Sequence, residues 1–343
     1  MMHGVRYSRT RLDIPILVFI CARLLSIIFS EYPSMSYSTI TRELIFYVSF
    51  FFTVFYLQHA EKERIYSLLK ILIGSTVIVT VISVSLFLFG FARRVNTLGG
   101  GGMLSTHLAL LISVALIAKD NKFVFPKQFM FWLTIVIFII GLLLSETRGD
   151  WLAAAAALLI YGLVFNRKLA FGVIAFAAML AITLPSVRQR LYTFEHPLRY
   201  SSDRITLWTN ALSVAGAHPV LGFGPETFHK VFKDTEHLGD WNVGAWHNDI
   251  VQMYVESGII GVASFLFVIG LLILFSIKLI RSRSIFLNEL SIGWMGVLML
   301  AAYLISGLFT MPTISITNGM LFRFLIAMVA VEHQRIEIGR AHV

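Results

Sequence analysis

Cysteine and charge are what this sequence has least of. Cys21 is the single cysteine among 343 residues, which excludes both an intramolecular disulfide and a metal cluster built on several cysteines. Only 14% of the residues are charged, whereas 57% are hydrophobic and the mean hydropathy is +0.79. Because a soluble domain carries about 25% charged residues, the composition excludes an ordinary soluble protein and indicates a membrane protein.

Two functions linked to nucleotides also lack support. The glycine-rich stretch Leu98–Ser105 has no lysine and follows no predicted strand, so it is not a phosphate-binding loop for ATP. The formal net charge of +9 does not indicate a nucleic-acid partner. The Lys and Arg residues are instead scattered through short loops, where such residues set topology and contact anionic membrane lipids.

Long apolar segments dominate the sequence. Ten of them approach the length that a helix needs to cross a hydrocarbon core of about 30 Å. They are residues 13–30, 42–58, 66–90, 101–118, 129–145, 151–165, 169–186, 250–277, 290–310 and 314–331. The sequence therefore predicts an all-α fold, a polytopic membrane bundle of about ten transmembrane helices.

One polar interval divides this pattern into three parts. Residues 1–186 are predicted to form N-terminal membrane helices, and residues 187–249 to form a long loop that contains short helices. Residues 250–343 are predicted to form the C-terminal membrane helices and a short cytoplasmic tail. The long loop is rich in Arg, His, Trp and Gly, so the chemistry is expected there.

The Lys and Arg residues of alternate loops predict the orientation. Loops on the side of the N-terminus carry fifteen of them, whereas the short loops on the other side carry four. Because positive loops stay in the cytoplasm, both termini are predicted to be cytoplasmic and the long loop to face outward. Arg93, Arg94 and Arg148 then share the outer face with the loop. Each could be an interfacial anchor, but their convergence favours an anionic ligand.

Three helices are expected in or beside the long loop. The first runs through Arg204–Val214, with an apolar stripe of Leu207, Trp208, Ala211 and Leu212. The second begins in the stretch PETFHKVF, after a turn made by Gly222, Gly224 and Pro225. The third begins at Asn248 and continues into the next membrane span, so that His247 lies at its start.

Five stretches in this order resemble the O-antigen ligase and polymerase superfamily of bacterial envelope glycan assembly. They are LLSIIFSEYPSMS (Leu24–Ser36), SETRGDW (Ser145–Trp151), DRITLWTNAL (Asp203–Leu212), HPVLGFGPETF (His218–Phe228) and WHNDIVQMYVESGIIG (Trp246–Gly261). The chain departs from the family in the number and position of its spans. It has about ten predicted spans where family ligases typically have about twelve, and the Leu24–Ser36 stretch usually lies further from the N-terminus. A usual asparagine near the start of the fourth span is also absent, and its place falls around Ser105 and Thr106.

The resemblance implies an inverting glycosyltransferase that moves a glycan from undecaprenyl diphosphate to an acceptor hydroxyl. The acceptor would be the lipid A-core or another envelope glycan. By motif, Arg148 and Arg204 match the family's functional arginines and His247 matches its functional histidine. Guanidinium groups suit phosphate oxygens, and histidine, with a reference pKa of about 6.5, suits proton abstraction.

Further residues complete the predicted site. Arg94 is a third candidate for the diphosphate, and the candidate supporting residues are Asn248, Trp208 and Glu256. The donor is already activated by its diphosphate, so no cofactor and no metal are expected. The predicted location is the bacterial inner membrane, with the site on the periplasmic or external face.

Other functions stay open at the level of sequence. Within the superfamily, the chain could be a repeat-unit polymerase or a protein O-oligosaccharyltransferase. A transporter or flippase for anionic lipid-linked glycans is the alternative of another class. Against transport, few ionisable residues lie within the spans, chiefly Arg23 and Arg323, and an ion relay usually needs carboxylates there. One short match, Asp234-Thr235-Glu236, is similar to the metal-binding acid pair of nucleotide-sugar glycosyltransferases.

Overall fold

The computed structural model describes residues 6–96, 103–183, 202–232, 244–282, 290–313 and 315–341. Asp234 and Glu236 of the short acidic match lie outside these ranges. All regular secondary structure within them is helical. The helices are α1 (Asp13–Ile28), α2 (Pro33–Tyr37), α3 (Ile40–His59), α4 (Lys62–Leu88), α5 (Met103–Ala118), α6 (Gln128–Leu144), α7 (Arg148–Phe165), α8 (Arg167–Thr183), α9 (Ser202–Ala215), α10 (Phe228–Val231), α11 (Asp249–Ser282), α12 (Ile292–Gly307) and α13 (Ile316–Ala341).

Each of the ten apolar segments overlaps one of these helices. Five helical runs among the described residues are long and apolar enough to cross a membrane: Pro33–His59, Lys62–Leu88, Arg148–Phe165, Asp249–Ser282 and Ile316–Ile338. Helices α5, α6 and α12 are apolar but shorter. The predicted all-α class of a multi-pass membrane protein is therefore confirmed, whereas the number of ten crossings stays a prediction.

The chain divides into two compact units. The first consists of the described residues of Met1–Leu17, Arg42–Ala157 and Leu266–Val343. Helix α5 lies at its centre and packs against α4, α6, α12 and α13. It is buried on almost every side, as expected of an apolar helix surrounded by other helices.

The second unit consists of the described residues of Val18–Thr41 and Leu158–Phe265. Its core joins α9, α10 and the start of α11 through a cluster of buried side chains. The aromatic centre of this core is Trp246, fully buried, with its ring centroid 4.9 Å from that of Phe228 and 5.7 Å from that of Phe232. This unit contains every described residue of the predicted polar loop.

Helix α9 confirms the first predicted loop helix and corrects its apolar stripe. Leu207 and Ala211 are buried as expected, but Leu212 is 65% exposed. Ala215 takes the fourth position instead, since it lies four residues beyond Ala211 on the same helical face. The second loop helix is shorter than the stretch PETFHKVF predicts, because only Phe228–Val231 is helical.

Candidate functional site

A glycine-rich loop is docked on the backbone of α11 in the second unit. The amide of Phe223 donates to the Val255 carbonyl, and that of Gly224 donates to the Glu256 carbonyl, both at 2.9 Å. The contact is possible because α11 is interrupted at Gly258, with φ 60° and ψ −163°. A side chain at Gly222 would collide with the backbone of Glu256. The turn predicted from the glycines is thus the means by which loop and helix meet.

The same loop is also tied to the segment that follows α1. The hydroxyl of Ser30 donates to the Phe223 carbonyl at 2.7 Å, and that of Ser36 donates to the Pro225 carbonyl at 2.9 Å. At Gly224, φ is +99°, and a Cβ would meet both serine hydroxyls. Three of the five stretches that carry the family resemblance are therefore joined by hydrogen bonds within one unit.

His247 lies between two neighbours that are held in place. Trp246 precedes it, and its amide donates to Gln252 Oε1 at 3.0 Å, while its carbonyl accepts a hydrogen bond from Trp208 Nε1 at 2.9 Å. Asn248 follows it, and its Oδ1 accepts from the backbone amides of Ile250 and Val251 at 3.0 and 3.1 Å. This pair of hydrogen bonds caps the start of α11, as the sequence predicted.

The backbone of His247 is in the left-handed region, with φ 51°. Residues other than glycine adopt this conformation at a cost of about 1–3 kcal/mol and keep it where the surroundings hold them. The hydrogen bonds to Trp246 and the helix cap made by Asn248 keep His247 in this conformation. The imidazole is half-buried, so this histidine is kept in place while remaining partly accessible.

Glu256 is the centre of a buried polar chain that leads to Trp246. Its Oε1 accepts hydrogen bonds from Gln252 Nε2 and from the Glu226 amide, the latter at 3.1 Å. Gln252 in turn accepts the Trp246 amide through its own Oε1. Glu256 is only 3% exposed. Glu256 is therefore linked to the His247 segment through Gln252, and its supporting role stays a prediction.

Arg23 completes this chain, and sequence reasoning missed it. Its Nη1 lies 3.1 Å from Glu256 Oε2 and 2.7 Å from Ser257 Oγ, and the Arg23 side chain is 3% exposed. The sequence identifies Arg23 only as an ionisable residue within a span. The available signal was an arginine in one apolar segment and a carboxylate in another, because buried charges need partners.

Arg204 lies on α9, the helix whose Trp208 side chain contacts the residue before His247. It precedes Trp208 by four residues, so the two side chains share one side of the helix. Trp208 donates its indole N–H to the Trp246 carbonyl. Arg204 is half-buried and comes one helical turn away from that contact. Of the predicted site residues, the second unit therefore brings together Arg204, Trp208, His247, Asn248 and Glu256 on linked elements.

The other two predicted arginines lie in the first unit, one at the start of α7 and the other in the segment that follows α4. Arg148 is the first residue of α7, and Arg94 precedes Val95, whose amide donates to the Leu144 carbonyl at 3.0 Å. The buried carboxylate of Asp150 accepts hydrogen bonds from the hydroxyls of three residues. These are Ser105, Thr106 and Ser306.

The Asp150 contacts give Ser105 and Thr106 a clear role. Both residues stand where the family typically has an asparagine, and both tie α5 to the start of α7, where Arg148 lies. Thr106 Oγ1 is 3.0 Å from Asp150 Oδ1. Together with the Ser306 hydroxyl, these two hydroxyls supply the polar contacts of Asp150 at the start of α7.

Comparison with known proteins agrees with the resemblance in the sequence. Residues 133–266 match the family model described as O-Antigen ligase. A chain from the solved structure "Structural coordination of polymerization and crosslinking by a peptidoglycan synthase complex" resembles this one with a TM-score of 0.54 and 17% identity, covering 94% of this chain and 96% of that chain. This likeness concerns the fold alone. No curated protein matches the sequence.

Proposed function

From the premise that residues 133–266 carry the O-antigen ligase family match, we propose that this membrane protein is an inverting glycosyltransferase. It transfers a glycan from undecaprenyl diphosphate to the hydroxyl of an acceptor sugar, which is the lipid A-core or another envelope glycan. The observation that supports this best is His247, which is half-buried, held in a left-handed conformation and flanked by two anchored residues.

His247 serves as the general base. Its imidazole accepts the proton of the acceptor hydroxyl while the oxygen forms a bond to C1 of the donor sugar. The bond between C1 and the diphosphate oxygen breaks at the same time, and undecaprenyl diphosphate leaves with the bonding electrons. A single displacement of this kind inverts the configuration at C1. Holding the base in one position favours the reaction because the geometry need not be found at each turnover.

Arginines bind the diphosphate in this proposal. A guanidinium can bind two phosphate oxygens at once and stabilises the negative charge that develops on the leaving group. The position of Arg204 supports its assignment, because it lies one helical turn from Trp208. The Trp208 indole donates a hydrogen bond to the Trp246 carbonyl. Arg148 is assigned to the diphosphate by motif. Arg94 is assigned by its predicted place on the same outer face, and the amide of the next residue, Val95, donates to the Leu144 carbonyl close to the start of α7.

Trp208, Asn248 and Glu256 are positioning residues. Trp208 and the Gln252–Glu256 pair hold Trp246, and Asn248 fixes the first turn of α11. The protein acts at the bacterial cytoplasmic membrane, with both termini inside and the His247 segment at the periplasmic or external face. The charge distribution of the loops supports this orientation.

A reconstituted transfer assay tests the proposal. The full-length protein in proteoliposomes receives an undecaprenyl-diphosphate glycan and an acceptor, and the carrier-bound and acceptor-bound glycans are both quantified. His247→Ala is expected to lower turnover about 10²–10⁴-fold, the usual contribution of a general base. Donor binding should change little. His229→Ala is the matched control, because His229 is an exposed histidine of the same loop. Near-normal turnover of His247→Ala would refute the assignment.

The product separates the reactions that the superfamily catalyses. When the gene is removed, long carrier-bound chains accumulate if a ligase has been lost, whereas single carrier-bound repeat units accumulate if a polymerase has been lost. A transporter would neither break the bond between the glycan and its carrier nor form a bond between the glycan and an acceptor. Its loss would change only the side of the membrane on which the carrier-bound glycan is found.

A further inference from the structure

A cleft in the second unit is lined by residues other than His247. It has a volume of about 620 Å³ and is formed by α9, α10 and the segment that follows α1. Small-molecule sites commonly occupy about 300–1,000 Å³, so the cleft is large enough for a short oligosaccharide. Asn210 and Ser213 line it from α9. At about 100° per residue, they lie on a different side of that helix from Arg204 and Trp208.

The lining combines groups that accept hydrogen bonds with groups that donate them. Glu31 contributes a carboxylate, Asn210 an amide, Ser213 a hydroxyl and Lys230 an ammonium group. The Glu31 carboxylate is oriented by His218, whose Nε2 lies 3.1 Å from Oε2.

Tyr32 and Phe223 add aromatic rings to these polar groups. A sugar ring presents hydroxyls that both donate and accept, together with faces of C–H groups that pack on aromatic rings. The cleft thus offers each kind of contact that a sugar can make.

The same lining disfavours other ligands. A phosphate would meet the Glu31 carboxylate with only one lysine to offset the repulsion, since Lys230 is the one cation that lines the cleft in the described residues. A lipid chain would bury several polar groups without hydrogen bonds, which is costly. A neutral polyhydroxylated ligand avoids both penalties.

We propose that this cleft binds a neutral sugar unit of the glycan substrate, at a subsite separate from the one where His247 acts. The assignment to a substrate glycan rests on the proposed transferase function. The sugar-binding property of the cleft does not, because it follows from the residues that line it. The cleft would hold the growing or acceptor glycan while the reacting sugar lies at His247.

Saturation-transfer NMR on the full-length protein in lipid nanodiscs tests the proposal. The probes are glucose, galactose, N-acetylglucosamine and the β-1,4-linked disaccharides of glucose and N-acetylglucosamine. At least one should bind saturably with a Kd in the millimolar range, as expected for so small a ligand. Asn210→Leu should weaken this binding at least fivefold. Ser213→Trp, a change at an exposed position of α9 that fills the cleft without disturbing the core, should abolish it.

Two controls keep the outcomes distinct. Thr209→Val, a polar-to-apolar change of the neighbouring residue on α9, should leave the Kd unchanged. His247→Ala should bind the sugar normally while losing transfer, so that failure of the proposed reaction and failure of the cleft are separate results. The cleft assignment is overturned if no probe binds saturably up to about 100 mM, or if Ser213→Trp binds as the unaltered protein does.

Discussion

The ion pair between Arg23 and Glu256 gives the sharpest stability prediction. Removing one partner of a buried pair leaves an uncompensated charge, which typically costs about 3–5 kcal/mol. In Arg23→Met, Glu256 Oε2 loses the guanidinium that lies 3.1 Å away, while Oε1 keeps its bonds to Gln252 and to the Glu226 amide. Glu256→Gln leaves Arg23 with the Ser257 hydroxyl but no anion at that place.

The double variant Arg23→Met/Glu256→Gln should be less damaging than the two single changes taken together. It removes both charges at once, and exchanging a buried pair for neutral groups is often close to neutral in free energy. The two single changes sum to about 6–10 kcal/mol. If the double variant costs less than about 3 kcal/mol, the coupling free energy between the two residues is at least about 3 kcal/mol.

Thermal unfolding of the detergent-solubilised protein, followed by tryptophan fluorescence, measures the stability lost in the single and double variants. At about 2–4 °C per kcal/mol, each single change should lower Tm by about 6–20 °C. Arg23→Met should also lower kcat more than it raises KM for the donor, because Glu256 holds Trp246 through Gln252. The reasoning fails if the single changes leave Tm within about 2 °C of the original, or if the two effects add without coupling.

Three further predictions concern orientation, diphosphate binding and backbone strain. In a cysteine-free background, a cysteine at the exposed position Thr209 should react with a membrane-impermeant thiol reagent in cells whose outer barrier has been opened, whereas one at Lys122 should not; the reverse pattern would invert the topology. Arg148→Lys and Arg204→Lys should each lose most transfer activity while accumulating normally, because lysine keeps the charge but not the paired geometry; full activity of both would mean that they only anchor the protein at the interface. His247→Gly should be more stable than His247→Ala by about 1 kcal/mol, because glycine adopts positive φ without strain; equal unfolding free energies of the two variants would argue against a strained backbone.

Much of the fold could be predicted from local sequence. A helix such as α9 forms its hydrogen bonds within one stretch of chain, so apolar spacing and capping residues predict it, and Ser202–Ala215 matches that prediction. The cap at Asn248 was predictable for the same reason, since its bonds to Ile250 and Val251 span two and three residues. The apolar stripe was less certain, and Leu212 proved exposed because the neighbours that bury a side chain are set by tertiary packing.

Only part of the candidate site could likewise be predicted from the sequence. The motif at Trp246–Gly261 predicts His247 as a site residue, and other motifs predict Arg148 and Arg204. Positive φ at His247 was not predictable, because a left-handed conformation depends on surroundings that compensate its cost. The cleft was also missed, since Glu31 and Asn210 are far apart in sequence and neither belongs to a recognisable pattern of its own.

By itself, the sequence determined that the protein is a helical membrane protein. A backbone in an apolar medium must satisfy its hydrogen bonds locally, and long apolar runs therefore form helices whatever lies around them. Only the tertiary structure decided that Arg23 neutralises Glu256, across 233 residues of chain. The two side chains come from distant parts of the sequence, so the pairing depends on where the folded chain places its buried charges.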